Sequence, residues 1–109
     1  MSYVAKHKHA PVKPFKARLV MNLIRGKSVN DALAILRYQP QRSARMIEKV
    51  VRSAQANAED RGATGPFVIS KCWVDEGFAI KRFRPRSRGG AAPYQRRRSH
   101  LCVEVNTLE

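Results

Sequence analysis

The segment from Phe78 to His100 constrains this chain most tightly. It holds eight basic residues (Lys81, Arg82, Arg84, Arg86, Arg88, Arg96, Arg97 and Arg98) and no acidic one. Arg82, Arg84, Arg86 and Arg88 recur at every second position. In an extended chain, a period of two places alternate side chains on one side; in a helix it would scatter them. Phe83, Pro85 and Ser87 take the other side, Gly89-Gly90 permits a reversal, and Tyr94 to Ser99 returns with the arginine triplet. The pattern predicts an antiparallel hairpin over about 78–100, apolar at its base and basic in its distal half. With about ten residues beyond the core at roughly 3.3 Å each, the arm would be about 30–35 Å long.

Such an arm does not fold on its own merits. A lone two-stranded ribbon is marginal in water, and like charges on neighbouring strands oppose pairing. It has to be started by a sheet at its base and fixed by a polyanion. The whole chain points the same way: 22 Lys and Arg against 8 acidic residues give a formal net charge of +14. That excess repels itself unless a partner neutralises it. A membrane surface would require a basic amphipathic helix with exposed Trp, Phe and Leu, whereas the lone Trp73 sits in a strand-like run. Nucleic acid is the partner that fits. Duplex DNA is usually read by a helix in the major groove, but here the concentrated charge lies on extended segments, which suit the crevices of folded RNA. Phe83 and Tyr94 have two roles open to them, stacking on bases or sugars and packing within the hairpin. Met1 to Ala10 carries no apolar leader core, which leads to the expectation of a cytoplasmic protein.

The rest of the chain supplies a body. Its 109 residues, 43% hydrophobic, suit a single domain with one core. Three helices are expected between Pro14 and Arg61. Pro14 opens the first, with Phe15, Leu19 and Leu23, joined by Val20 and Ile24, as its buried stripe and Gly26 as its stop. Ser28 caps the second, with Asp31 in capping-box position and Val29, Ala32, Leu33 and Leu36 facing inward. Pro40 opens the third, which runs to about Arg61, is stopped by Gly62 and buries Ile47, Val50, Val51, Ala54 and Ala58. Its other stripe, Arg45, Lys49 and Arg52, is either a solvated face or an RNA contact. After Gly65-Pro66 the period changes to two: Val68, Ser70, Cys72 and Val74 alternate with Phe67, Ile69, Lys71 and Trp73, as in a strand, and Leu101 to Val105 reads as another.

Catalytic and metal chemistry find little to work with. Asp75-Glu76 is a carboxylate pair, but it precedes Gly77 at an expected turn or bulge, with nothing apolar nearby to raise a pKa. His7, His9 and His100 lack the carboxylate or paired cysteines of a strong metal site. Cys72 and Cys102 sit in apolar β-like runs, where small buried hydrophobes are expected. No catalytic residue, metal or cofactor is expected.

The motifs resemble those of the L-twenty-two family of large-subunit ribosomal proteins. The hairpin signature is carried by Lys81, Arg86, Ser87 and Gly89, then His100, Leu101, Val103 and Val105. Upstream, Lys16-Ala17-Arg18-Leu19-Val20, Leu23-Ile24-Arg25-Gly26-Lys27, Ala32-Leu33-Ala34-Ile35-Leu36, Ile47-Glu48-Lys49-Val50 and Ala56-Asn57-Ala58-Glu59 follow the family's order, as does Val74-Asp75-Glu76-Gly77. The chain departs from the family at Gly90, where a polar or basic residue is usual, followed by Ala91-Ala92-Pro93. It departs again at Lys13 and Gln39, which replace the Ser and Thr that precede two helix-opening prolines.

The resemblance implies an α+β fold: three helices packed on a three-stranded antiparallel sheet, its first strand near the N-terminus, with a long protruding β-hairpin. It implies a bacterial-type structural constituent of the large ribosomal subunit that binds large-subunit ribosomal RNA and supports assembly. Its hairpin would line the nascent-peptide exit tunnel. Other large-subunit proteins and the nascent peptide would be its neighbours, with no membrane and no homo-oligomer. The RNA-binding residues are then expected to be Lys6, Lys8, Lys13, Lys16, Arg18, Arg25 and Lys27 in the N-terminal part and Lys81, Arg82, Arg84, Arg86, Arg88, Arg96, Arg97 and Arg98 in the arm. The tip beside the tunnel would be Ser87, Arg88, Gly89, Gly90, Ala91, Ala92 and Pro93. The alternative is a free-standing basic RNA-binding or chaperone protein.

Overall fold

The computed structural model of the chain describes residues 2–85 and 91–107, with side chains outside 78–97. The elements follow in the order β1 (Ser2–Ala10), α1 (Pro14–Ile24), α2 (Val29–Tyr38), α3 (Arg42–Asp60), β2 (Phe67–Pro85) and β3 (Ala91–Thr107). The three strands form one antiparallel sheet in the order β1-β3-β2. The last strand of the chain is therefore its centre. This is the expected α+β architecture.

Local chemistry sets the helix ends. The Ser28 hydroxyl accepts the Asp31 N–H at 3.2 Å and starts α2, as its capping pattern predicts. At the far end of α3, Gly62 takes φ +86°. Its N–H donates to the Glu59 carbonyl at 3.0 Å, and the Ala63 N–H to that of Ala58 at 3.0 Å. This is the glycine-dependent closure that satisfies the last carbonyls of a helix. The Pro40 expectation needs correcting: α3 begins at Arg42 with Gln41 as N-cap, and Gln39 closes α2 through its N–H to Leu36. Pro40 lies between the two helices because α2 runs to Tyr38 and uses up the approach.

The core lies between the helices and one face of the sheet. Ile47, Val50, Val51, Ala54 and Ala58 are buried as expected, as are Val29, Ala32 and Leu36, with Leu33 partly so. α1 is turned relative to its expected orientation. Its buried residues are Pro14, Ala17, Val20, Met21 and Ile24, while Phe15, Leu19 and Leu23 are 72%, 53% and 42% exposed. The helix is apolar around most of its circumference, so two overlapping stripes compete. The one that won includes small Ala17, which allows close approach, and turns Arg18 and Arg25 toward β2.

Strand β2 also departs from simple alternation. Phe67 and Ile69 are buried, then Cys72 and Val74. The register shifts between Ile69 and Lys71, and a bulge of this kind inserts one residue and flips the parity that follows. The shift joins what had read as two opposite faces into one inward face, opposite Tyr3 and Ala5 of β1 and Leu101, Val103 and Val105 of β3. Cys102 is buried outside that cluster, in the row Lys6–Cys102–Trp73 across the three strands.

A second shift falls between Glu76 and Ala79, where Gly77 meets the facing strand. A Cβ on Gly77 would come within 3.2 Å of the Arg98 carbonyl oxygen. From there the sheet narrows. β1 follows β3 from Ser2↔Asn106 to Ala10↔Ser99, whereas β2 and β3 continue pairing from Ala79↔Arg97 to Pro85↔Ala91. The expected hairpin is thus a two-strand continuation of the sheet.

Candidate nucleic-acid interface

The basic residues singled out by sequence fall into several structural settings. Lys6 and Lys8 are exposed on β1, alternating with inward Tyr3 and Ala5. Lys13 and Lys16 are exposed at the start of α1, where they line a groove together with Arg42 and Ser43. Sequence reasoning misses those last two, because only the fold brings the start of α3 to that of α1. Lys27 is exposed in the turn between α1 and α2.

Arg18 and Arg25 have a different use. β2 is an edge strand, and an uncovered edge presents unpaired carbonyls. The Arg18 Nη2 donates to the Val74 carbonyl at 3.0 Å, and the Arg25 Nη2 to that of Cys72 at 2.9 Å. The same edge is closed further along, where the Ile69 N–H donates to the Lys27 carbonyl at 2.9 Å and the Gly26 N–H to the Ile69 carbonyl at 3.2 Å. These two arginines are structural clamps first. Arg98 likewise donates from Nη1 to the His9 carbonyl at 3.4 Å, while His100 Nδ1 accepts the His9 N–H at 3.1 Å. The two imidazoles meet edge to face, centroids 4.8 Å apart. His9, at φ 59°, marks the irregularity between His7 and Ala10 in the β1–β3 pairing.

The helix stripe divides in the same way. Arg45 donates from Nη2 to the carbonyls of Arg37 (2.9 Å) and Gln39 (2.7 Å), tying the end of α2 to α3. Arg45 and Arg52 both pair with Glu48, at 3.3 and 3.1 Å. Lys49 is exposed between them.

The arm contributes its arginines on paired backbone. Lys81, Arg82 and Arg84 stand across from Gln95, Tyr94 and Ala92, while Arg96 and Arg97 stand across from Ile80 and Ala79. Arg86, Ser87, Arg88, Gly89 and Gly90 lie outside the described residues. Ala91, Ala92 and Pro93, which the resemblance puts at the tip, open β3 and pair with Pro85, Arg84 and Phe83. Pairing extends further than expected because antiparallel partners can continue on both sides of a short reversal.

The carboxylate pair Asp75 and Glu76 is exposed, and Asp75 accepts the Trp73 indole N–H at 3.1 Å. Both cysteines are free and buried. Burial pushes both thiols above their ordinary pKa, against the pull of the Arg25 guanidinium in the case of Cys72; at Cys102 the Asp75 charge adds to the upward shift.

A hairpin extending from a three-stranded sheet backed by three helices is the arrangement implied by the resemblance, and comparison with known proteins agrees. The sequence profile of the family described as Ribosomal protein L22p/L17e matches residues 5–106. The chain belongs to the ribosomal protein L22p/L17e family. Two relatives, each named large ribosomal subunit protein uL22 and found in two strains of Lactobacillus delbrueckii subsp. bulgaricus, are 48% identical over 99 residues. The match covers 89% of this chain and 85% of each relative. Members of the L22p/L17e family are structural rather than enzymatic.

Proposed function

We propose that the chain is a structural constituent of the large ribosomal subunit, acting in the cytoplasm as one domain spanning residues 1–109. In this reading its N-terminal lysines and arm arginines bind large-subunit ribosomal RNA and support assembly. The arm lines the nascent-peptide exit tunnel. Other large-subunit proteins and the nascent peptide are its neighbours, and it works as a single copy. The observation that carries the reading is the two-strand continuation past Gly77, which holds Lys81, Arg82, Arg84, Arg96 and Arg97 on one ribbon with no acidic residue. A ribbon of that charge becomes stable when phosphates neutralise it, and phosphate contacts dominate such affinities.

The test is reconstitution of large subunits with the tagged chain, followed by sedimentation at moderate salt and imaging of the particle. The expected result is stoichiometric co-sedimentation, with the arm beside the tunnel. A chain that binds RNA in solution but stays at the top of the gradient would favour the free-standing chaperone reading.

A further inference from the structure

The turn after β1 and the starts of α1 and α3 enclose a groove of about 530 Å³, lined in part by Val12, Lys13, Lys16, Leu19, Arg42 and Ser43. Three features of it point to one kind of ligand. Lys13, Lys16 and Arg42 are exposed around it, and no carboxylate is among its lining residues. The start of α3 is bare: Gln41 makes no side-chain cap bond, and the first turn holds no acidic residue. The Ala44 N–H turns back to the Gln41 carbonyl at 3.1 Å, which leaves the N–H groups of Arg42 and Ser43 without an acceptor inside the helix. Finally, Ser43 is 2% exposed and its Oγ has no hydrogen-bond partner among the described residues. A buried hydroxyl left unpaired is costly and rare.

We propose that this groove is a binding site for a phosphoryl group. The helix start offers two N–H donors and the positive end of a 19-residue helix. Lys13, Lys16 and Arg42 supply charge, and an anion seated there gives the Ser43 hydroxyl the acceptor it lacks. Val12 and Leu19 make one wall apolar, which suits a phosphate carrying an organic group. The phosphate comes either from an RNA backbone or from free phosphate in solution. For RNA as the source, the inference rests on the function proposed above; for the phosphoryl site itself it does not.

The test is an NMR titration of the full chain with inorganic phosphate replacing chloride at constant ionic strength. Saturating shifts are expected at the amides of Arg42, Ser43 and Ala44. Replacing Lys16 and Arg42 by Gln should weaken the apparent affinity at least about tenfold, as expected when charge-assisted hydrogen bonds are removed. Lys49→Gln, farther along α3, should leave it unchanged. Ser43→Ala should weaken the response while the melting temperature holds or rises, since the hydroxyl removed has no partner within the described fold. Unsaturable shifts spread over all the cations, or a lowered melting temperature for Ser43→Ala, would overturn the proposal.

A second arm identifies the source by measuring binding to large-subunit ribosomal RNA against salt. In the Lys16→Gln, Arg42→Gln variant, a salt slope shallower by about 0.7–0.9 for each phosphate no longer neutralised assigns the site to an RNA phosphodiester. An unchanged slope with a saturating phosphate response assigns it to free phosphate. If the wild-type chain bound no ribosomal RNA, the proposed function would fall, and the phosphate titration would still decide the site.

Discussion

Arg18 on α1 donates to the backbone carbonyl of Val74 on β2 at 3.0 Å, so a residue that reads as an RNA contact serves first to close the edge of a sheet. Arg25 does the same two residues earlier on the strand, at Cys72. A charged donor bonded to a carbonyl at a partly buried edge stabilises by about 1 kcal/mol or somewhat more. Arg18→Met should therefore lower the unfolding free energy by about 1 kcal/mol in urea titrations while leaving the salt slope of RNA binding unchanged. Lys8→Gln, on exposed β1, should do the reverse. A shallower slope with unchanged stability in Arg18→Met would show that the guanidinium is committed to RNA.

The turned α1 makes a second pair of measurements informative. Met21 is fully buried, whereas Phe15 is 72% exposed. Met21→Ala should cost about 2–5 kcal/mol through weaker packing and the cavity left behind. Phe15→Ser should fall within about 0.5 kcal/mol of the parent, as surface substitutions do. Equal destabilisation by the two would restore the 15/19/23 stripe as the buried face.

The two thiols give a pH dependence whose sign follows from burial. Each is held neutral by desolvation, so its pKa in the folded chain lies above the ordinary value of 9.0. Below pH 9 both states keep the protons, and this contribution to stability is fully present. As pH rises through 9, the unfolded chain ionises first and is favoured, so stability declines with further alkalinity. Chemical denaturation from pH 7 to 10.5 should show that decline, and a double Cys→Ala variant should show less of it. Iodoacetamide at pH 8 should modify the native chain far more slowly than the unfolded one, because the thiolate is the nucleophile.

How much could be read from the sequence depended on how local the determining interaction is. The Ser28 cap and the Gly62 closure involve residues within five positions of each other, and both were legible. The orientation of α1 was not, because apolar residues at seven of the ten positions from Phe15 to Ile24 leave the choice of face to β2, through Arg18 and Arg25. The alternation along β2 was misread at Ser70 because a bulge changes parity without any change in residue type. The candidate interface was legible as charge but not as placement. Lys13 and Lys16 could be named, whereas Arg42 and Ser43 join them only after α3 folds back across the start of α1. The arm was legible because its period of two and its missing acids lie within one short stretch.

The pairing of that arm also fixes where it can be cut. The core closes without it: Leu101, Val103 and Val105 are buried against the helices, and β1 holds β3 only as far as Ser99. Lys81 and Gln95 are direct partners across the ribbon, so removing residues 82–94 and joining those two through Asn-Gly leaves both strands in register. Removing 86–96 instead would strand Pro85 beside Arg97, whose partner is Ala79. The 82–94 deletion should melt cooperatively, with a midpoint within a few degrees of the parent's, because the described residues removed, 82–85 and 91–94, pair with each other. Since Arg82, Arg84, Arg86 and Arg88 go with it, its binding to large-subunit ribosomal RNA should fall less steeply with salt, by about 0.7–0.9 for each phosphate that the arm would have neutralised. The variant should still enter reconstituted large subunits through Lys6, Lys8, Lys13 and Lys16 and leave the tunnel wall altered in images of the particle. Exclusion of a well-folded deletion variant from the subunit would make the arm an assembly anchor rather than mainly a lining of the tunnel.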